Sequence, residues 1–139
     1  MLVFKRVVLA ATLLAILPVL ALQAQISEEE YGKAMTEVRF LLGDAGLHID
    51  ARYWPELNED IEKLRAQFGA VEAFWAARGT DEAVAFIQAS LEKLGPIEAA
   101  ADAMDIGAAQ AAVRDLRTTC QPCHDQYREE TADGFQIKQ

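Results

Sequence analysis

The chain has 139 residues, of which 52% are hydrophobic and 25% are charged, enough for one domain with a single core and too apolar for a disordered chain. Its net charge of −9 gives no electrostatic basis for binding nucleic acid or an anionic membrane surface. Aromatic residues make up only 8% and there are two cysteines, which argues against an all-β fold and against a disulfide framework.

The beginning of the chain has the features of a secretory signal peptide. A basic start at Lys5 and Arg6 precedes an uncharged apolar run, and small residues up to Ala24 offer cleavage points. The run is short for a membrane span of about 20 residues, so an uncleaved anchor is the less favoured alternative. We therefore expect a signal peptide over 1–24, a mature domain over 25–139 and export to an oxidising bacterial periplasm.

Two helices are predicted first in the mature chain. Ser27 and Glu30 have the spacing of a capping box, and apolar residues then recur at helical spacing until Gly46, where we expect the helix to end. A loop is predicted to follow. The second helix starts at about Pro55, a residue favoured in the first turn of a helix, and stops at Gly79.

Two further helices complete the prediction. Thr80 is expected to cap the third helix, which the Gly95–Pro96 pair should kink or split because proline has no N–H to donate. The fourth starts near Asp105, and the polar tail after Thr131 is expected to fray. Four amphipathic helices with mostly short links predict an all-α, antiparallel up-down-up-down four-helix bundle.

The chemistry of the chain is concentrated in the sequence Cys120-Gln121-Pro122-Cys123-His124. Cys-x-x-Cys-His is the attachment signature of c-type haem. Residues three apart on a helix share a face, so both sulfurs can reach the two vinyl groups of one porphyrin. The imidazole of His124 follows directly and can bind the iron from the proximal side. The pattern predicts one covalently bound haem c, held by Cys120 and Cys123.

Three other interpretations of the two cysteines are less favoured. A disulfide oxidoreductase places Cys-x-x-Cys at a strand–helix junction, and no strand is predicted here. A zinc site needs four ligands, whereas Cys120, Cys123 and His124 supply three and His48 is the other histidine of the chain. Two incidental structural cysteines are the third alternative.

Any sixth ligand of the iron has to come from upstream, because neither Met nor His follows His124. Met104 would lie roughly 30 Å away along a continuous helix, and His48 is predicted in a loop. In an antiparallel bundle Met35 lies at about the same height as His124, since each is roughly 10–12 Å from the same end. We expect Met35 either to bind the iron or to line the distal side of the haem without binding it.

At this point the mature chain resembles the class II cytochromes c, the cytochrome c′ family. The resemblance is most specific in Ala99-Ala100-Ala101-Asp102, in Asp105 and in CQPCHDQYR over 120–128. It implies a four-helix bundle with its haem motif near the C-terminus, and it assigns Arg128 to a haem propionate. A solvated surface arginine is the alternative for Arg128. Members of the family are often dimers through their first two helices, which implies a homodimer.

The first helix departs from the family pattern. The family often has Arg-Gln early in this helix, where the present chain has Tyr31-Gly32-Lys33. The departure leaves the register open by one residue, so that Thr36 and not Met35 would face the iron. It also removes one propionate partner, a role that Lys33 would fill.

Periplasmic electron transfer is the function we expect, with a basic redox partner that meets the acidic surface in a weak contact. The family also contains five-coordinate members that bind NO or CO, and gas capture is the second hypothesis. A haem-free helical binding protein is the third. The sequence contains no catalytic constellation, so we do not expect an enzyme.

Overall fold

The computed structural model describes residues 26–138, so the predicted signal peptide lies outside the described part. Six helices and two strands follow one another: α1 (Glu28–Ala51), α2 (Trp54–Ala77), α3 (Asp81–Glu92), α4 (Leu94–Asp102), α5 (Ile106–Thr118), α6 (Cys120–Tyr127), β1 (Arg128–Thr131) and β2 (Gly134–Ile137). None of these helices is long and apolar enough to cross a membrane.

The first helix begins as predicted but ends later. The Ser27 hydroxyl accepts from the Glu30 N–H and the Glu30 carboxylate accepts from the Ser27 N–H, which completes the capping box. The helix continues past Gly46 to Ala51, so the predicted loop is wrong. Burial of Ile49, which is 1% exposed, offsets the loss of about 1 kcal/mol that glycine causes inside a helix.

The third and fourth predicted helices are each broken once. Lys93 separates α3 from α4, and Pro96 is the third residue of α4, where its missing N–H needs no partner. Thr119 separates α5 from α6. When each broken helix is counted once, the six helices form four helical units: α1, α2, the pair of α3 and α4, and the pair of α5 and α6. This confirms an all-α bundle.

The helices enclose one apolar core. α1 packs on α2, α2 on α3 and α4, and α5 on α1, while α4 contacts α5 and α3 contacts α6. The largest fully buried side chains of this core come from four helices, α1, α2, α4 and α5: Ile49, Leu57, Ile61, Leu64, Val71, Phe74, Leu94, Ile97 and Leu116.

The C-terminal segment is ordered, contrary to the prediction that it frays. β1 and β2 form an antiparallel hairpin in which Arg128 pairs with Ile137 and Thr131 with Gly134. Gly134 has φ of 129°, a conformation available essentially to glycine alone. The hairpin is held to α6 by a hydrogen bond of 2.9 Å from the Lys138 N–H to the Tyr127 carbonyl.

Candidate functional site

The Cys-x-x-Cys-His motif forms the first five residues of the short helix α6. The break before it is fixed by Thr119, whose hydroxyl donates to the Leu116 carbonyl at 2.7 Å and lies 2.6 Å from the Ser90 hydroxyl. Ser90 is 3% exposed, so this contact ties the start of α6 to the inside of α3. Helix α6 thus begins as a helix separate from α5, with Cys123 buried and His124 half-buried.

A cavity of about 1080 Å³ adjoins α6, slightly above the range of about 300–1,000 Å³ that is usual for ligand sites. Its lining comes mainly from α1, α6 and the C-terminal hairpin. Cys120, Cys123 and His124 all line it, as do Met35 and Arg128. The five residues predicted from the sequence therefore meet at one cavity.

The environment of the motif keeps its titratable groups neutral. Burial raises the pKa of Cys123 to about 11, with a smaller contribution from Cys120, and burial also raises the pKa of Cys120. Burial, followed by the positive charge of Arg128, lowers the pKa of His124. The imidazole of His124 is therefore neutral, and able to bind a metal, at lower pH than a free histidine.

The remaining ligand candidates differ in their positions. Met35 and Thr36 both line the cavity from α1, and the Thr36 hydroxyl donates to the Gly32 carbonyl at 2.9 Å. Met104 is 69% exposed at the link between α4 and α5, outside the cavity lining. His48 lies within α1, not in a loop, and its Nδ1 is 2.7 Å from the carboxylate of the buried Asp60.

Four basic side chains line the cavity together with three acidic ones, Glu28, Glu29 and Glu37. Lys33, Arg39, Arg117 and Arg128 contribute to its lining. Lys33 pairs with the exposed Glu29 at 2.6 Å. Among the described residues, the other three lack a carboxylate within ion-pair distance, which leaves them available to an anionic ligand.

Several lining residues were not predicted. Arg117 donates to the Leu42 carbonyl at 2.7 Å, a contact between distant segments that has no local sequence signal. Phe135, Gln136 and Ile137 reach the cavity from the hairpin, a segment that we predicted to fray. The alternation of apolar and polar residues in Phe135-Gln136-Ile137 after Gly134 is the signal that could have indicated this strand.

The other interpretations of the cysteines gain no support from the geometry. The motif follows a helix and not a strand, unlike the arrangement in disulfide oxidoreductases. Within residues 26–138, no three His, Cys, Asp or Glu side chains come together as a metal-binding group. Cys120 and Cys123 are not joined to each other by a disulfide.

A comparison with protein-family models identifies the relatives of this chain. The cytochrome c′ model matches residues 21–128. The chain belongs to the cytochrome c′ family. The comparisons with curated proteins and with solved structures found no significant match.

Membership of the cytochrome c′ family implies a haem-binding c-type cytochrome, and the cavity fits such a group. Two thiols three residues apart and a neutral imidazole adjoin one large, mainly apolar space. Basic side chains near the same space suit the carboxylates of a haem. The donor set and the basic side chains without an ion-pair partner therefore agree with the cofactor that the family implies.

Proposed function

We propose that this cytochrome c′ family member is an exported electron carrier with one covalently attached haem, and that it is not an enzyme. The single observation that supports this most is the common cavity of Cys120, Cys123, His124 and Met35. A bound haem supplies an iron that alternates between Fe(III) and Fe(II). The remaining chemistry is that of binding, orientation and exclusion of water by the protein.

In this proposal Cys120 and Cys123 hold the haem through thioether bonds and His124 is its proximal ligand. The two sulfurs lie on neighbouring positions of one helix face. The lowered pKa of His124 favours the neutral imidazole that a metal requires. Burial of Cys123 keeps one attachment point away from solvent, which restricts movement of a group bonded to it.

Met35 is the proposed sixth ligand. It projects from α1 into the cavity that also contains the motif, and its side chain is half-buried. A thioether ligand stabilises Fe(II) and raises the reduction potential. A centre that keeps the same six ligands in both oxidation states needs little rearrangement, which suits rapid electron exchange.

Gas binding is the second candidate function, and the position of Thr36 favours it. Thr36 also lines the cavity, and its hydroxyl is already committed to the Gly32 carbonyl. If Thr36 faces the iron, no protein ligand occupies the sixth position, and a small gas such as NO or CO can bind there. The two functions thus differ by one residue of register in α1.

Arg128 and Lys33 are the proposed partners of the haem carboxylates. Both line the cavity, and Arg128 follows α6 directly. We further propose the up-down-up-down order of the helices. The pairing of α3 with α6 and of α4 with α5 is the one expected when the two broken helices run antiparallel.

The proposed surroundings of the protein follow from its charge and its predicted signal peptide over 1–24. Export to the periplasm agrees with a c-type cytochrome, and a net charge of −9 suits a basic redox partner in a transient contact. A homodimer is also proposed. Phe40 and Leu47 are 56% and 67% exposed and seven residues apart on α1, so they present apolar surface on one side of that helix.

Mass spectrometry and visible spectroscopy of the exported protein test the proposal. We expect a mass increase of one haem that survives denaturation and is lost when both Cys120 and Cys123 are changed to Ala. His124→Ala should keep the attached haem but alter its spectrum, whereas the control His48→Ala should not. A colourless protein with free thiols would refute the assignment.

A further inference from the structure

The C-terminal hairpin is the part of the cavity wall that the family does not explain. The family match ends at Arg128, so nearly all of the hairpin lies beyond it. Phe135, Gln136 and Ile137 nevertheless line the cavity, and Ile137 also packs against the core. The hairpin is therefore joined to the bundle at the place where the proposed haem would lie.

Within the hairpin, Arg128 and Phe135 form a stacked pair. The guanidinium carbon of Arg128 lies 4.2 Å from the centre of the Phe135 ring, well within the distance at which a cation is attracted to an aromatic face. Phe135 is itself 61% exposed, so its position is not explained by burial. Its backbone pairs with Glu130 in the hairpin, and its ring stacks on the arginine.

The charge of Arg128 acts on the cavity. Arg128 itself lines the cavity, so its positive charge lies beside the space that Cys120, Cys123 and His124 share. No carboxylate among the described residues pairs with Arg128, so its charge is not neutralised by an ion pair there.

We propose that Phe135 is a positioning residue, which holds the Arg128 guanidinium beside the cavity so that it can bind a carboxylate of the cofactor. The strand pairing of Arg128 with Ile137 fixes the backbone on one side, and the ring of Phe135 fixes the end of the side chain. A long arginine side chain loses much rotamer freedom when it binds a ligand, and stacking reduces that loss. This inference rests on the proposed haem site and extends it to the hairpin.

The test is a double-mutant cycle on the haem-loaded protein, with the reduction potential as the readout. Arg128→Leu should lower the potential, because a positive charge near the haem favours the reduced state. Phe135→Leu should lower it by a smaller amount, and Phe135→Tyr, which retains the ring, should leave it unchanged. In the Arg128→Leu background, Phe135→Leu should cause no further shift, since the residue acts through the arginine.

Two controls keep the outcomes separate. Tyr53→Leu removes an exposed ring outside the cavity lining and should not change the potential. If Phe135→Leu does not fold, Phe135→Met replaces it as an apolar side chain without a ring. The inference would be overturned if Phe135→Leu shifted the reduction potential equally in the presence and in the absence of Arg128. It would also be overturned if Phe135→Leu left the potential unchanged while Arg128→Leu shifted it. A wild-type protein without covalent haem would instead refute the proposed function.

Discussion

The pair of His48 and Asp60 allows the two histidines of the chain to be given separate roles. The nitrogen and oxygen are 2.7 Å apart, and the side chains are 29% and 6% exposed. His48→Ala would leave a nearly buried carboxylate without this partner. A hydrogen bond to a charged group contributes about 1.5–3 kcal/mol, and loss of one partner of a fully buried pair costs about 3–5 kcal/mol. Because water can reach the half-buried position of His48, we expect a loss of about 2–3 kcal/mol.

Thermal unfolding of the haem-loaded protein measures this loss. In a domain of roughly 110 residues, 1 kcal/mol corresponds to about 4 °C in Tm, so His48→Ala should lower Tm by about 8–12 °C. Asp60→Asn retains a neutral hydrogen bond and should lower it less. The control Glu29→Ala breaks the Lys33 ion pair, whose side chains are 71% and 77% exposed, and should change stability by under about 1 kcal/mol.

The visible spectrum provides the second measurement on the same variants. It should be unchanged in His48→Ala, because the His48 side chain is held by Asp60 and lies outside the cavity lining. A Tm that falls by less than about 2 °C would contradict the stability argument. A changed spectrum would identify His48 as a ligand and overturn the proposed assignment of the axial ligands.

Other predictions concern the cavity, the core and the thiols. Met35→Ala should convert a six-coordinate low-spin spectrum to a high-spin one that takes up CO, while Thr36→Ala should not; a wild type that is already high-spin would exclude Met35 as a ligand. Leu116→Ala, at a side chain with 0% exposure, should cost about 2–5 kcal/mol in urea unfolding, and a loss below 1 kcal/mol would contradict tight packing there. Ser27→Ala removes the helix cap and should cost about 1 kcal/mol by the same assay, so an unchanged midpoint would count against the capping box. In folded haem-free protein with Cys120 replaced by Ala, burial still raises the pKa of Cys123, so the rate of its alkylation should still be rising at pH 10 because the thiolate remains scarce; a rate that levels off below pH 9 would show an ordinary thiol.

The features that local sequence determines were predictable. The capping box needs only Ser27 and Glu30, and the cysteine spacing of the haem motif depends only on helical periodicity. The break around Gly95–Pro96 follows from the missing N–H of proline. The family resemblance, now supported by the match over 21–128, added the placement of the motif near the C-terminal end of a helical bundle.

Features that depend on tertiary packing were missed. The helix continues past Gly46 because Ile49 reaches the core, and this contact outweighs the low helix propensity of glycine. The hairpin was missed because its two strands have four residues each and gain stability from α6 and the core. The place of Arg117 in the cavity lining was missed because its side chain donates to the Leu42 carbonyl, and spacing along the chain does not indicate that partner.

The interruption at Thr119 affects how the protein could acquire its haem. In the proposed attachment both thiols would have to become accessible to an incoming porphyrin, yet Cys123 is buried in the folded protein. Since α6 is eight residues long and separate from α5, it can open locally by giving up its own contacts while the longer helices stay packed. We therefore expect α6 to open at a lower free-energy cost than the longer helices, once its contacts through Thr119 and Tyr127 are given up.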